Sequence, residues 1–209
     1  MTDVEEWDAL AAAFGTLGRL HREPPDADML DAISGLLDEW PLPDTEEARL
    51  GVQRLRRSRE LGEDAEAIRR DHDRMYGVSA TAEVPPYESV HRGTEGLVFD
   101  EQTLDVRAAY RTLGLTAPNL NREPDDHIGL ELDFVAQAML MAIDAVDAGT
   151  SDALVPVASA RAFLRDHLST WAPDMLRTLE ARAGTEFIAG LALLSQGALK
   201  SATAILAER

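Results

Sequence analysis

Asp125, Asp126, His127 and Glu131 bring three carboxylates and an imidazole close together in the chain. Side chains of these types at this spacing suit three tasks: capping a helix, holding a cation, or ligating a metal. His127 and Glu131 stand one helical turn apart and Asp126 adds an oxygen donor, so a helical metal-dependent hydrolase is one reading. Metal-bearing helices usually carry more than one such pair and a supporting shell, which this stretch lacks. The other histidines, at 21, 72, 91 and 167, form no further cluster in sequence. There is no phosphate-binding loop, no dinucleotide glycine fingerprint, no Gly-x-Ser-x-Gly elbow and no His-Glu-x-x-His, so the enzyme reading has little else behind it.

The element that must position these residues is a helix. Glu123-Pro124-Asp125-Asp126-His127 precedes Ile128, Leu132, Val135, Met139, Ala142 and Val146, an apolar stripe at three- and four-residue steps that Gly149 stops. Asp125, Asp126 and His127 are therefore expected in its first turn, where free backbone N–H groups and the helix dipole favour carboxylates.

The same periodicity runs through the chain. Trp7, Leu10, Phe14 and Leu17 mark a first helix, opened by Thr2 with Glu5 and barred by Pro24-Pro25. Leu30, Ile33, Leu37 and Trp40 mark a second, ending at Pro41. Thr45 caps a third that runs to Gly62 and carries Arg54, Arg56, Arg57 and Arg59 as a solvated face. Ala65, Ile68, His72 and Met75, with Tyr76 beside them, make a fourth that ends near Gly77, and there His72 reads as a satisfied, partly buried histidine. Residues 77–99 lose periodicity, and a loop that long inside a domain tends to be functional or mobile. Tyr87 follows two prolines there, and Ser89 reads as a cap on the turn after the loop.

Asp100 starts a fifth helix that Gly114 closes, and Leu115 to Arg122 connect two lobes. Beyond Gly149, Val157, Ala160, Leu164, Leu168 and Trp171 form one helix, Pro173 opens a short one that Gly184 ends, and Thr185 caps the last. No period-2 strand and no repeat is visible. The class is all-α: a bundle of about nine or ten helices, with an N-terminal lobe about 1–114, a hinge about 115–123 and a C-terminal lobe about 124–209.

Composition bounds the partners. Lys+Arg 20 against Asp+Glu 38 gives a formal net charge of −18, which disfavours nucleic acid and anionic membrane and suits either a cationic partner or a surface adapted for solubility or salt. Cys 0 excludes disulfides and thiolate sites. The acidic N-terminus lacks the pattern of an export signal, and no uninterrupted apolar run approaches the roughly 20 residues that span a bilayer, so a cytoplasmic protein is expected.

Two motifs then combine. Pro85-Pro86-Tyr87-Glu88-Ser89-Val90, followed about thirty residues later by Glu123-Pro124-Asp125-Asp126-His127-Ile128-Gly129, resembles the TorD/DmsD family of cytoplasmic chaperones for molybdenum oxidoreductases. Phe163-Leu164, His167-Leu168, Trp171-Ala172-Pro173 and Phe187 stand in the order of that family's C-terminal lobe, so the resemblance covers the chain from about residue 65 onward. It implies a non-enzymatic, cofactor-free helical protein that binds the twin-arginine leader of a molybdopterin oxidoreductase of the dimethyl-sulfoxide-reductase superfamily. It would hold that client until its cofactor is inserted, before export.

By the same resemblance the leader-contacting positions are Met75, Tyr76, Tyr87, Ser89, Pro124, Asp126 and His127, and the neighbouring acids Glu123 and Asp125 complete the expected peptide-binding set. The chain departs from the family pattern at Val78-Ser79 and at His72. A nitrate-reductase type of assembly chaperone, whose client is not exported, is the alternative within the family, and the protein is expected as a monomer or a homodimer exchanging lobes through the hinge. Physically, two guanidinium groups beside an apolar stretch call for carboxylates bordering an apolar groove. Asp125 and Asp126 are the expected carboxylates; Met75, Tyr76 and Tyr87 are the expected apolar wall.

Overall fold

The computed structural model describes residues 3–37, 39–77, 82–93, 96–120 and 122–207, so the expectations that rest on Thr2 and on Val78-Ser79 lie outside the described residues. Ten α-helices occur among the described residues: α1 (Asp3–Arg22), α2 (Ala27–Leu36), α3 (Glu46–Leu61), α4 (Ala65–Tyr76), α5 (Glu88–Arg92), α6 (Glu101–Thr112), α7 (Ile128–Asp147), α8 (Leu154–Phe163), α9 (Ser169–Arg182) and α10 (Glu186–Ile205). No strand is found among these residues, and the fold is the expected all-α bundle.

Local chemistry explains most boundaries. Asp26, Thr45, Asp64, Asp100 and Thr185 each accept a backbone N–H of the first turn through the side chain, which satisfies one of the donors a helix start leaves free. Four expectations need correction. The second helix stops at Leu36 and leaves Trp40 outside it, because the residue before Pro41 is pushed out of the helical region. The irregular stretch 77–99 contains α5, too short for its periodicity to show.

Pro173 lies inside α9 rather than opening a helix. The preceding residues Leu164–Leu168 form a π-helical turn in which the Ser169 N–H reaches back to the Leu164 carbonyl, and this joins α8 and α9 into one rod. Finally, α7 begins at Ile128, so Asp125 and Asp126 precede its first turn and His127 is its N-cap.

The bundle is centred on α7 and α10. α1 lies along α7, α3 lies along α10, and α9 covers another face of α10. Segments on either side of the connection 115–123 therefore share one apolar core, whose fully buried members include Phe14, Ile68, Ile128, Leu132, Met139, Leu168 and Leu176. α10 is long and apolar enough to cross a membrane, but 72% of that apolar window is buried against neighbouring helices. α1 and α7 approach most closely at Gly18 and Gly129: a Cβ on Gly18 would stand 2.7 Å from the Gly129 carbonyl oxygen, and one on Gly129 would stand 2.5 Å from that of Gly18. That crossing fixes the start of α7, and with it His127, against the end of α1.

Candidate functional site

The two sequence motifs meet through the backbone. After α4 the chain turns back along its last residues, with the Val84 N–H donating to the Met75 carbonyl at 2.9 Å. Pro86 and Tyr87 then pair with the stretch before α7: Ile128 N–H donates to Pro86 O at 2.8 Å and Glu88 N–H to Asp126 O at 3.0 Å, which makes an isolated antiparallel bridge between Tyr87 and His127.

Asp126 is the hub of this junction. Its carboxylate is fully buried and accepts from the Ser89 N–H at 2.7 Å and the Thr103 hydroxyl at 2.8 Å. With its carbonyl on Glu88 N–H, it caps α5 from a distant part of the chain, which explains how a five-residue helix without a side-chain cap of its own is held. Asp125 is also fully buried, paired with Arg107 Nε at 2.5 Å, while the Tyr110 hydroxyl donates to its carbonyl at 3.0 Å. The sequence reading expected both acids to border a groove; instead both are fully buried, outside the lining of any groove among the described residues, and hold the junction together. Ser89 caps nothing: it lies inside α5 with its N–H on Asp126. Met75 is fully buried core.

What the junction frames is a cavity of about 550 Å³, lined by Tyr76, Tyr87, Glu123, Pro124 and His127 of the expected set. Its wall is aromatic and proline-rich. The Tyr87 and His127 rings meet edge to face at 5.3 Å, Tyr76 and His72 do so at 4.9 Å, and Pro24, Pro86 and Pro118 join them. Its rim carries Glu23, Asp73 and Glu123 against Arg22. Glu123 is steadied by the Asn119 amide at 2.9 Å. Glu23 and Asp73 were missed in sequence. Their only signal was position: Glu23 stands at the end of α1 before two prolines, and Asp73 is one turn before Gly77.

The imidazoles around the cavity are neutral. His127 accepts the Gly129 N–H at Nδ1, 3.0 Å away, so its proton is on Nε2. Burial, reinforced by His72 and Arg22, lowers its pKa to about 3. His72 is lowered by burial, and it donates from Nε2 to the His21 carbonyl at 3.2 Å.

Below them His21 is fully buried and lowered well below the usual range, by burial first and then by His127 and His72. Ser195 gives its hydroxyl proton to the Leu191 carbonyl, so its oxygen accepts from His21 Nε2 at 2.8 Å. The remaining His21 Nδ1 accepts from the Tyr76 hydroxyl at 2.5 Å. Tyr76 is thus pinned at its tip and offers the cavity only its ring. Burial, with help from Glu123 and Asp126, raises the Tyr87 pKa, so that phenol stays protonated.

A second buried cluster lies behind α5. Glu88 is ion-paired with Arg92 and hydrogen-bonded to His167 Nδ1 at 2.9 Å; Glu131 accepts from the Trp171 indole at 3.1 Å through one oxygen, and its other oxygen is buried without a hydrogen-bond partner among the described residues. Burial, then the charges of Glu88 and Asp126, push the Glu131 pKa well up, so it is held as the neutral acid. The suggested metal triad is not assembled: Asp126 and His127 are spent on backbone N–H groups and Glu131 faces Trp171. No group of three His, Asp or Glu suited to a metal occurs among the described residues.

The chain is similar to a protein named "Chaperone protein TorD" from Photobacterium profundum, 31% identical over 97 residues, covering 46% of this chain and 44% of that protein. Proteins of the same name from Vibrio cholerae serotype O1 are 28% identical over 148 residues, covering 70% of this chain and 64% of theirs. The chain thus matches less than two thirds of the length of these relatives, which are named as chaperones and not as enzymes. Residues 42–177 match the family described as nitrate reductase delta subunit, and the chain belongs to that TorD-like family.

Proposed function

We propose that this protein is a cytoplasmic maturation chaperone for a redox enzyme, and that it binds the twin-arginine leader of a molybdopterin oxidoreductase while the cofactor is inserted before export. The observation that carries the reading is the cavity where the two motifs meet: rings and prolines form its wall, and three carboxylates face one guanidinium on its rim. Because His72 and His127 are neutral, the site's charge near neutral pH is negative. Planar guanidinium groups match carboxylates in a fork that an ammonium cannot copy, so paired arginines are favoured over paired lysines. Exposed pairs of this kind contribute only about 0–1 kcal/mol each, and apolar contact with Tyr76, Tyr87 and Leu130 supplies the rest at roughly 25 cal/mol per Å².

Titration of labelled leader peptides tests this. A twin-arginine peptide is expected to bind with an affinity that falls as salt rises. Asp73→Asn with Glu123→Gln is expected to weaken it about tenfold without lowering the melting temperature. Equal binding by a scrambled or twin-lysine peptide would overturn the proposal.

The family's description favours a second reading, an assembly chaperone whose client is not exported. On that reading the client is captured just as well after its leader has been deleted.

A further inference from the structure

Leu97, Val98, Phe99 and Leu104 are each between 45% and 59% exposed, a concentration of large apolar surface within eight positions. Phe99 has φ +63°, and it is the non-glycine residue in the left-handed region among the described residues. That conformation is unfavourable for a phenylalanine, so it is set by the surrounding chain rather than by the residue's own backbone preference. Phe99 and Leu104 also occupy the position before the cap and the fourth helical position of α6, a pair that ordinarily closes on itself, yet both stay half exposed.

The charges interleaved with this shelf are all negative: Asp100, Glu101 and Asp105, with no Lys, Arg or His from 96 to 106. A second copy of the chain in a two-fold contact would bring the same acids against themselves, and an anionic membrane would be repelled likewise. An apolar partner carrying positive charge fits. The shelf is also near the cavity: Leu104 follows Thr103, which is hydrogen-bonded to Asp126, the neighbour of His127. The Cα atoms of Leu104 and His127 are therefore at most about 16 Å apart, which about five extended residues span.

We infer that this shelf seats an apolar peptide segment flanked by lysine or arginine, continuous with the segment held in the cavity. The inference rests on the leader-binding reading and locates the other half of that contact. Its test uses Leu97→Ser, Phe99→Asn and Leu104→Ser combined, where asparagine tolerates the left-handed backbone. Two peptides are titrated: a short one with only the cationic pair, and a long one that adds the apolar run.

The triple variant is expected to bind the short peptide as the wild type does, and the long one about tenfold more weakly. Asp73→Asn with Glu123→Gln weakens both. Unchanged binding of the long peptide by the triple variant overturns the shelf while leaving the cavity reading intact. Binding of neither peptide by the wild type overturns both. A wild-type dimer that the triple substitution converts to monomer in sedimentation assigns the shelf to a second copy, and overturns the inference.

Discussion

Replacing Asp126 by alanine is expected to unfold this protein more readily rather than merely empty a binding site. The carboxylate is fully buried and holds the Ser89 N–H at 2.7 Å and the Thr103 hydroxyl at 2.8 Å, and both of those residues are buried too. Alanine leaves a buried backbone donor without an acceptor, at about 1–3 kcal/mol, and takes from Thr103 a bond worth about 0.5–1.5 kcal/mol. It also removes the anion from the start of α5, at about 1 kcal/mol. The sum is about 2.5–5.5 kcal/mol, which for a chain of this length is a fall in melting temperature of about 5–20 °C.

Asparagine discriminates between explanations. Its amide oxygen can take the Ser89 N–H while its NH₂ donates to the Thr103 oxygen, so Asp126→Asn is expected to cost only about 1–2 kcal/mol. Thermal and urea unfolding followed by circular dichroism measure both. A drop below about 2 °C for alanine, or equal losses for the two variants, would refute the capping argument. Changing Asp126 and His127 together to alanine is therefore no clean probe of binding, because lost stability would confound it. The rim residues Asp73 and Glu123 are the ones to change.

Other outcomes follow from the same geometry. Glu131 has a folded pKa raised well above its ordinary 4.5, so its contribution to stability is full below about pH 4.5 and is lost as pH rises toward the folded value. Glu131→Gln keeps the Trp171 bond without the ionisation, and urea unfolding should show the variant more stable than wild type at pH 8 but not at pH 4.5. His127, at about 3 when folded against an ordinary 6.5, works in the opposite sense, as do His21 and His72. The unfolded chain takes up protons first, so stability should fall as pH drops from 6.5 toward 3, and His127→Asn should flatten that limb in a pH series of melting temperatures. Gly129→Ala forces a Cβ to within 2.5 Å of the Gly18 carbonyl oxygen and is expected to cost about 2 kcal/mol or more, read as a lower urea midpoint.

The order and many of the ends of the helices were legible in the chain itself, because apolar spacing and the side-chain caps Thr45, Asp100 and Thr185 act over three or four residues. The two motifs that meet at the cavity were legible as well. Only the tertiary structure decided which acids face outward. Asp125 and Asp126 are drawn inside by Arg107, Thr103 and the start of α5, whereas Glu23, just past the end of α1, and Asp73, within α4, are brought to the rim by the packing of α1 and α4 around His127. The direction of a carboxylate depends on donors supplied from elsewhere in the chain, and no local pattern records where those donors will be.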